Sequence, residues 1–181
     1  MAEPSDEELM ERFCGGDAPA FDALFRRHGP AVQAFLGRMV SDAALAEDLL
    51  QTTFLSVVRS RGRFTPGSRV LPWIFAIASN AARDALRRRK SRPEDLAAAG
   101  APAADLAVHP PAVDPGLSRE LEAALDALPA LQREALVMHK INGLSFEEIA
   151  QALGTTSTAV RIRAHRAYER LRQTLGHLRE P

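Results

Sequence analysis

The sequence predicts an all-α protein made of two small helical modules. Aromatic residues make up only 6% of the 181 residues, and Ala and Leu recur throughout, a composition that favours helices over sheets. Apolar residues return every three or four positions in several segments, as in helices with one buried face. Residues 91–116 interrupt this pattern, are rich in Ala, Pro and Asp, and contain the helix-incompatible pair Pro110-Pro111. We therefore expect modules at residues 1–90 and 117–178, joined by a flexible linker at 91–116.

In the first module, six apolar residues recur at the spacing of a helix. They are Phe21, Leu24, Phe25, Val32, Phe35 and Leu36. Gly29-Pro30 predicts a bend or break within that stretch. Asp42 is well placed to cap the N-terminus of the next helix. A loop is predicted from Arg61 to Val70, followed by a long helix over Leu71–Lys90. Pro72 lies in the first turn of that helix, where its missing N–H costs nothing.

The second module has four predicted helices, which run over Leu117–Ala127, Pro129–Ile141, Ser145–Leu153 and Thr156–Leu175. Asn142-Gly143 and Gly154 are expected to cap C-termini. Ser145 and Thr156 are expected to cap N-termini, and Ser145 has the capping-box partner Glu148 three residues later.

The last two helices have the layout of a helix-turn-helix motif, in which the N-terminal end of the second helix can enter a major groove. The apolar side of that second helix consists of Val160, Ala164, Ala167, Leu171 and Leu175. The opposite side presents Thr158, Arg161, Ile162, His165 and Glu169. An ordinary helical hairpin with a solvated basic face is the alternative, because this pattern also produces false matches.

The distribution of charge is more informative than its total. The 23 basic and 23 acidic residues balance, so net charge gives no indication of nucleic-acid binding. Six basic residues nevertheless lie between Arg83 and Arg92, and five lie between Arg161 and Arg172, each cluster containing a single acid. Residues 93–134 hold eight acids and two bases. The basic charge is therefore concentrated on two helices, one in each module.

The long helix of the first module carries the earlier basic cluster. Its predicted buried stripe consists of Ile74, Ile77, Ala78, Ala81 and Ala85, which leaves Trp73, Asn80, Asp84 and Arg87 on another side. A polar and basic face beside an aromatic residue is suited to binding unpaired bases. Aromatic side chains stack on bases, and arginines bind the phosphates of the nucleic-acid backbone. Considered alone, Trp73 fits a core position, and the arginine run fits a solvated helix end that complements the helix dipole.

Several segments, in this order, resemble the extracytoplasmic-function (ECF) sigma factors. Residues 16–25 (GDAPAFDALF) resemble the start of that family's conserved region 2, and residues 46–55 (AEDLLQTTFL) resemble the segment that grips the polymerase clamp. Residues 73–88 are similar to the segment for promoter melting and −10 recognition. Residues 128–167 are similar to region 4, which reads the −35 element and contacts the polymerase flap. The resemblance implies a factor that binds core RNA polymerase and directs promoter-specific transcription initiation.

The resemblance also implies residue roles. Contacts with the polymerase clamp helices are expected at Glu47, Asp48, Leu49, Gln51 and Phe54. Contacts with the −10 element and the locally melted strand are expected at Arg69, Trp73, Asn80, Arg83, Asp84, Arg87 and Arg88. Contacts with double-stranded −35 DNA are expected at Thr156, Ser157, Thr158, Arg161, Ile162, Arg163, His165 and Arg166. An anti-sigma factor is the further partner that the family implies. Spacing alone leaves open whether the acidic patch on the third helix is a partner surface or a solvated face.

Two other binding classes fit parts of this sequence. A stand-alone helix-turn-helix regulator, or a response-regulator output domain, accounts for residues 145–172 but leaves residues 46–55 and 73–88 without a role. The first module also lacks the phosphoacceptor pattern of a receiver domain. A module that binds only proteins leaves both arginine-rich helices unexplained.

Catalysis is not expected from this sequence. The five histidines are scattered without metal-ligand spacing, at His28, His109, His139, His165 and His177. We therefore expect no catalytic residue, metal, cofactor or small-molecule substrate. A single cysteine, Cys14, excludes an intramolecular disulfide. We expect a cytoplasmic protein without membrane insertion, because no apolar run is long enough to span a bilayer and the N-terminus is acidic.

Overall fold

The computed structural model describes residues 3–91 and 115–176, and every regular element in these ranges is a helix. This confirms the predicted all-α class. The N-terminal module contains α1 (Asp6–Cys14), α2 (Ala18–Val40), α3 (Ala43–Ser60), a 3₁₀ turn (Arg61–Arg63) and α4 (Val70–Ser91). The C-terminal module contains α5 (Pro115–Asp126), α6 (Ala130–Leu136), a π-helical turn (Val137–Ile141), α7 (Phe146–Leu153) and α8 (Ser157–Thr174). The predicted linker lies outside the described residues, apart from Ser91 and the start of α5.

Helix α1 was not predicted, although a local signal for it exists. The Ser5 hydroxyl accepts a hydrogen bond from the Glu8 amide at 3.1 Å, and the Glu8 carboxylate accepts one from the Ser5 amide at 2.7 Å. This reciprocal capping box satisfies two amides that the first turn leaves unpaired. The pattern Ser5-x-x-Glu8 therefore marked the start of a helix that buries Leu9, Met10 and Phe13.

Helix α2 runs without interruption through Pro30, so the predicted break at Gly29-Pro30 is wrong. A proline inside a helix removes the hydrogen bond to the carbonyl four residues earlier. Pro30 lies on the exposed side of α2, whereas Val32 and Phe35 in the following turn are fully buried. The burial of these apolar side chains outweighs the lost bond, because tertiary packing routinely overrides local propensity.

The predicted helix caps are confirmed. The Asp42 carboxylate accepts from the Leu45 amide at 3.1 Å, and the Thr156 hydroxyl accepts from the Ala159 amide at 3.2 Å. Ser145 and Glu148 form the expected capping box at the start of α7. The C-cap Gly154 has φ +62°, a left-handed conformation that glycine adopts at little cost.

One hydrophobic core extends through both modules. The Phe35 ring of α2 meets the Phe75 ring of α4 edge-to-face at 5.2 Å, and α4 also packs against α7. Residues of the second module, including Met138 and Ile149, belong to the same buried cluster. The predicted stripe on α4 was only partly right. Ile74, Ala78 and Ala85 are buried, but Ile77 and Ala81 are only partly buried. The buried face also includes Pro72, Phe75, Ser79 and Ala82. Helix α4 is covered on two sides, which widens its buried face beyond that of a one-sided surface helix.

Within residues 3–91 and 115–176, none of the helices combines the length and apolar character needed to cross a membrane.

Candidate nucleic-acid interface

The outward face of α8 is exposed as predicted. The exposed members of the predicted set are Thr156, Thr158, Arg161, Ile162, His165 and Arg166, while Ser157 and Arg163 are partly buried. On the opposite face Val160, Ala164 and Ala167 are buried. The helix therefore presents basic and polar side chains on one side and is held to the protein by the other.

The turn between α7 and α8 sets the direction of this face. The Thr155 amide donates to the Ala150 carbonyl at 2.9 Å, which closes the end of α7. Val160 of α8 and Ile149 of α7 are both fully buried in the core. The first turn of α8 follows Thr156, and amides at a helix N-terminus attract phosphate oxygens.

Arg161 is held in place by groups on α7. Its guanidinium lies over the Phe146 ring, 5.2 Å from the centroid, and one of its nitrogens is 3.7 Å from Glu147 Oε1. Its side chain is exposed, so these contacts orient the group while leaving it accessible. Such an arrangement suits an arginine that meets a ligand in a defined direction.

A groove runs beside the recognition face of α8. Its walls are formed by Leu136, His139, Lys140, Phe146, Arg161, Ala164, His165 and Tyr168. The His139 ring stacks on Phe146 at 4.0 Å between centroids, and its Nδ1 lies 2.8 Å from the Leu144 carbonyl oxygen. The groove combines apolar walls with basic side chains. Sequence reasoning missed it because its residues come from four separate segments.

Four of the predicted −10 residues form an exposed face on α4, namely Asn80, Asp84, Arg87 and Arg88. The Arg87 guanidinium pairs with the Asp84 carboxylate one turn earlier. Trp73 is half-buried, and its ring meets Phe64 edge-to-face at 5.3 Å. The Trp73 ring therefore contributes to the core and also reaches the surface beside this face.

The other two predicted −10 residues, Arg69 and Arg83, are paired with the C-terminal module. Arg83 Nη2 lies 2.5 Å from Glu134 Oε2, and Arg69 Nη1 lies 2.8 Å from Glu148 Oε1. The Ser79 hydroxyl also donates to the Glu134 carboxylate. Sequence reasoning had assigned no role to Glu134, whose partners on α4 are more than fifty residues away along the chain.

The predicted polymerase contacts on α3 separate into two groups. Glu47, Asp48 and Gln51 are exposed, whereas Leu49 and Phe54 are each only 4% exposed and belong to the core. The side of α3 that carries Leu49 and Phe54 packs against the rest of the module, so the members of the predicted set that are open to a partner are Glu47, Asp48 and Gln51. Leu55, which is 55% exposed, lies one turn after Gln51 on the outer face.

Comparison with known proteins identifies the family. Residues 24–92 match the family model of Sigma-70 region 2, and residues 118–171 match that of Sigma-70, region 4. The chain is 36% identical to the ECF RNA polymerase sigma factor SigM of Mycobacterium tuberculosis, over 97% of this chain and 87% of that protein. The chain belongs to the ECF sigma factors. It is also 52% identical to the RNA polymerase sigma factor CarQ of Myxococcus xanthus, over 93% of this chain and 97% of that protein.

Two solved structures share the fold of this sigma factor. The sigma factor RpoE of Bartonella quintana, solved in complex with the anti-sigma factor NepR, superimposes with a TM-score of 0.74 at 28% identity, over 86% of this chain and 96% of that one. CnrH, solved with the cytosolic domain of CnrY, has a TM-score of 0.73 at 27% identity, over 95% of this chain and 97% of that one.

Family membership confirms the resemblance found in the sequence. This sigma factor is a transcription initiation factor that acts with RNA polymerase at promoters. The stand-alone regulator is not favoured, because it leaves the region 2 match over residues 24–92 without a role. In the described part of the chain, no three His, Cys, Asp or Glu side chains come together in an arrangement that would hold a metal ion.

Proposed function

We propose that this sigma factor divides promoter recognition between its two modules. Residues 1–90 bind the polymerase clamp helices and the −10 element, residues 117–178 read the −35 element and contact the flap, and residues 91–116 act as a flexible linker. The observation that carries this division is that each module presents one basic helix, α4 or α8, with an exposed polar face.

On α8 we assign base reading to the exposed face around Arg161 and His165. Both side chains lie within one turn of the helix and point away from the buried Val160 and Ala164. Arg163 and Arg166 flank them and are suited to phosphates, because a guanidinium matches two phosphate oxygens and carries a permanent charge. Base-edge contacts specify a sequence, whereas phosphate contacts position the helix.

On α4 we assign the melted −10 strand to the exposed face with Asn80, Asp84, Arg87 and Arg88. An amide, a carboxylate and two guanidiniums provide donors and acceptors for unpaired bases together with charge for the backbone. Trp73 borders this face and is partly exposed. Arg69 and Arg83 complete the set when they are released from their glutamate partners.

On α3 we assign the clamp contact to Glu47, Asp48 and Gln51 with the neighbouring Leu55. The four side chains are exposed and span two turns of one helix, so they form a continuous acidic and apolar patch. The carboxylates and the amide supply hydrogen-bonding groups, and Leu55 supplies an apolar contact, to a partner that lies on this face.

Reconstituted transcription is the experiment that tests this function. Purified protein is combined with core RNA polymerase and a pool of promoter fragments, and transcripts are scored against core polymerase alone. Promoter-dependent initiation is the expected result. Binding of the isolated protein to duplex DNA without any gain in transcription would instead favour the stand-alone regulator.

Variants of α8 separate base reading from charge in the same assay. Arg161→Ala or His165→Ala should change the preferred −35 sequence in the promoter pool. Arg172→Ala is the matched control, because Arg172 lies on the same helix but pairs with Glu169 at 2.9 Å near its C-terminal end. A uniform loss on all promoters would mean that Arg161 and His165 contact only phosphates.

Variants of α4 separate melting from polymerase binding. Asn80→Ala or Arg87→Ala should reduce promoter opening while core-polymerase affinity stays unchanged, and Lys90→Ala at the end of α4 is the control. Glu47→Lys with Asp48→Lys should give the opposite result, a loss of affinity for core polymerase. If the α4 variants lowered polymerase affinity instead, α4 would belong to the protein interface.

An anti-sigma factor is a further partner in this proposal. It is supported by RpoE and CnrH, whose structures were solved in complex with the anti-sigma factor NepR and the cytosolic domain of CnrY. Such a partner should inhibit reconstituted transcription in proportion to its amount. The proposal also places the protein in the cytoplasm with RNA polymerase, without catalytic activity, cofactor or small-molecule substrate of its own.

A further inference from the structure

The Phe146 ring joins three elements of the C-terminal module. Phe146 is the first residue of α7 and packs, partly buried, against the shared core. The His139 ring of the π-helical turn stacks on it, with 4.0 Å between centroids and 26° between planes. The Arg161 guanidinium of α8 also lies over the Phe146 ring, 5.2 Å from its centroid. Phe146 is therefore a side chain through which α7 and the π-helical turn reach the reading face of α8.

The backbone around Phe146 fixes the position of its ring. Ser145 begins α7 with a reciprocal capping box. His139 Nδ1 lies 2.8 Å from the Leu144 carbonyl oxygen, and because a carbonyl only accepts, Nδ1 carries the proton. Leu144 is 2% exposed, and its amide donates to the Met138 carbonyl at 3.0 Å. The two stacked rings are therefore held by hydrogen-bonded backbone.

The Phe146 ring restricts an arginine that otherwise has many rotamers. The Arg161 side chain is exposed, and an exposed arginine loses rotamer entropy when a ligand immobilises it. Contact with an aromatic ring restricts the side chain before DNA binds, which lowers the entropy lost on binding. The contact uses the charge of the guanidinium rather than its N–H groups, so the contact leaves these donors available for a base edge.

Glu147 is a second group beside Arg161, and it contributes less to the position of the guanidinium. Its Oε1 is 3.7 Å from an Arg161 nitrogen, which is beyond normal hydrogen-bond distance. The two side chains are 69% and 64% exposed, so water and salt weaken their attraction. A carboxylate also repels the phosphates of DNA, whereas an aromatic ring does not. The Phe146 ring is therefore the neighbour that orients Arg161 without opposing DNA.

We propose that Phe146 is a positioning residue for promoter recognition, which sets the base preference of Arg161 by holding its guanidinium over the ring. Phe146 itself contacts no base in this proposal. The inference rests on the proposed role of Arg161 in reading the −35 element. It assigns part of the sequence specificity of α8 to a residue of α7.

The test is the base preference of a reconstituted holoenzyme. Core RNA polymerase is combined with each variant and a promoter pool whose −35 element is randomised, and a barcode in each transcript identifies its promoter. Arg161→Ala identifies the base position that Arg161 reads. Phe146→Leu keeps an apolar side chain but removes the ring. It should lower the preference at that same position by about two- to fivefold, the factor that a cation–ring contact at an exposed site provides, and leave the other positions unchanged.

Three further variants show whether the ring acts through Arg161. Phe146→Tyr keeps the ring and should retain the preference. Tyr168→Leu is the matched control, because it removes an aromatic ring from the same groove about two turns from Arg161 along α8. It should leave the preference at the Arg161 position unchanged. Phe146→Leu added to Arg161→Ala should have no further effect at that position, because the guanidinium on which the ring acts is already absent.

Three results would overturn the proposal. The first is an unchanged preference in Phe146→Leu. The second is an equal loss of transcription on all promoters, which would mean that the ring only supports the packing of α7. The third is a further loss of preference when Phe146→Leu is added to Arg161→Ala. If circular dichroism shows that Phe146→Leu does not fold, Phe146→Met provides the same test with a more adaptable apolar side chain.

The positioning role and the proposed function fail in different ways. A changed base preference in Arg161→Ala with no change in Phe146→Leu rejects the positioning role and leaves the function intact. An unchanged base preference in Arg161→Ala rejects base reading by Arg161, and the positioning role with it. Absence of promoter-dependent transcription by the unaltered protein rejects the function as a whole.

Discussion

Arg133→Ala should destabilise the whole protein, because Arg133 joins the two modules from a buried position. Its Nη2 donates to the Met39 carbonyl at the end of α2 at 3.2 Å, and its Nη1 lies 3.0 Å from Asp126 Oδ1. The side chain is only 9% exposed. Burial lowers the pKa of Arg133, and the nearby Asp126 carboxylate partly offsets that effect.

The size of the effect follows from these contacts. A buried hydrogen bond from a charged donor contributes about 1.5–3 kcal/mol. The pair with Asp126 adds about 0–1 kcal/mol, because Asp126 is half-exposed and water replaces the lost partner. We therefore expect the free energy of unfolding to fall by about 1.5–4 kcal/mol. For a chain of this length that loss lowers Tm by about 3–16 °C.

Urea unfolding followed by far-ultraviolet circular dichroism measures this change. Arg172→Ala is the control, since Arg172 makes an exposed pair within one helix, and its loss should cost less than about 0.5 kcal/mol. The loss in the free energy of unfolding for Arg133→Lys should lie between those of Arg133→Ala and Arg172→Ala. A lysine ammonium keeps the charge but cannot reproduce the planar donor geometry with which a guanidinium reaches both Met39 and Asp126. If Arg133→Ala unfolded within about 0.5 kcal/mol of the unaltered protein, the cross-module bond to Met39 would carry no stability, and the reasoning would be refuted.

Three other predictions address a cap, a titrating carboxylate and the shared core. Ser145→Ala should cost about 1 kcal/mol in urea unfolding by removing the cap of α7; no loss would show that the capping box adds nothing. Burial of Asp6 opposes its ionisation, but the Arg27 hydrogen bond and the nearby His28 ring outweigh this and hold its pKa below 3.8. The stability that Asp6 contributes is therefore complete above its unfolded pKa and is lost as pH falls through its folded pKa, so Asp6→Asn should destabilise at neutral pH and progressively less as the solution is acidified; a difference that did not shrink in acid would contradict this. The single tryptophan, Trp73, reports on the N-terminal module, and its fluorescence should change at the same urea concentration as circular dichroism, because one core joins both modules; two separate transitions would mean that the modules unfold independently.

Local patterns in the sequence were sufficient to predict much of the fold and the exposed face of α8. The caps at Asp42, Ser145 and Thr156 depend on hydrogen bonds that span three residues, so neighbouring residues determine them. The exposed face of α8 likewise follows from helical periodicity, since its buried residues Val160, Ala164 and Ala167 recur every three or four positions. The same reasoning failed at Pro30, where burial of the next turn outweighs a local helix breaker.

The sequence by itself determined the all-α class, the helix-turn-helix and the placement of basic charge on α4 and α8, because these depend on composition, periodicity and contacts within a few residues. Only the tertiary structure decided that Leu49 and Phe54 are core residues while Leu55 is exposed. It also decided that Glu134 meets Arg83. That pair joins residues 51 positions apart, and no local pattern encodes a contact that depends on how two modules pack around a shared core.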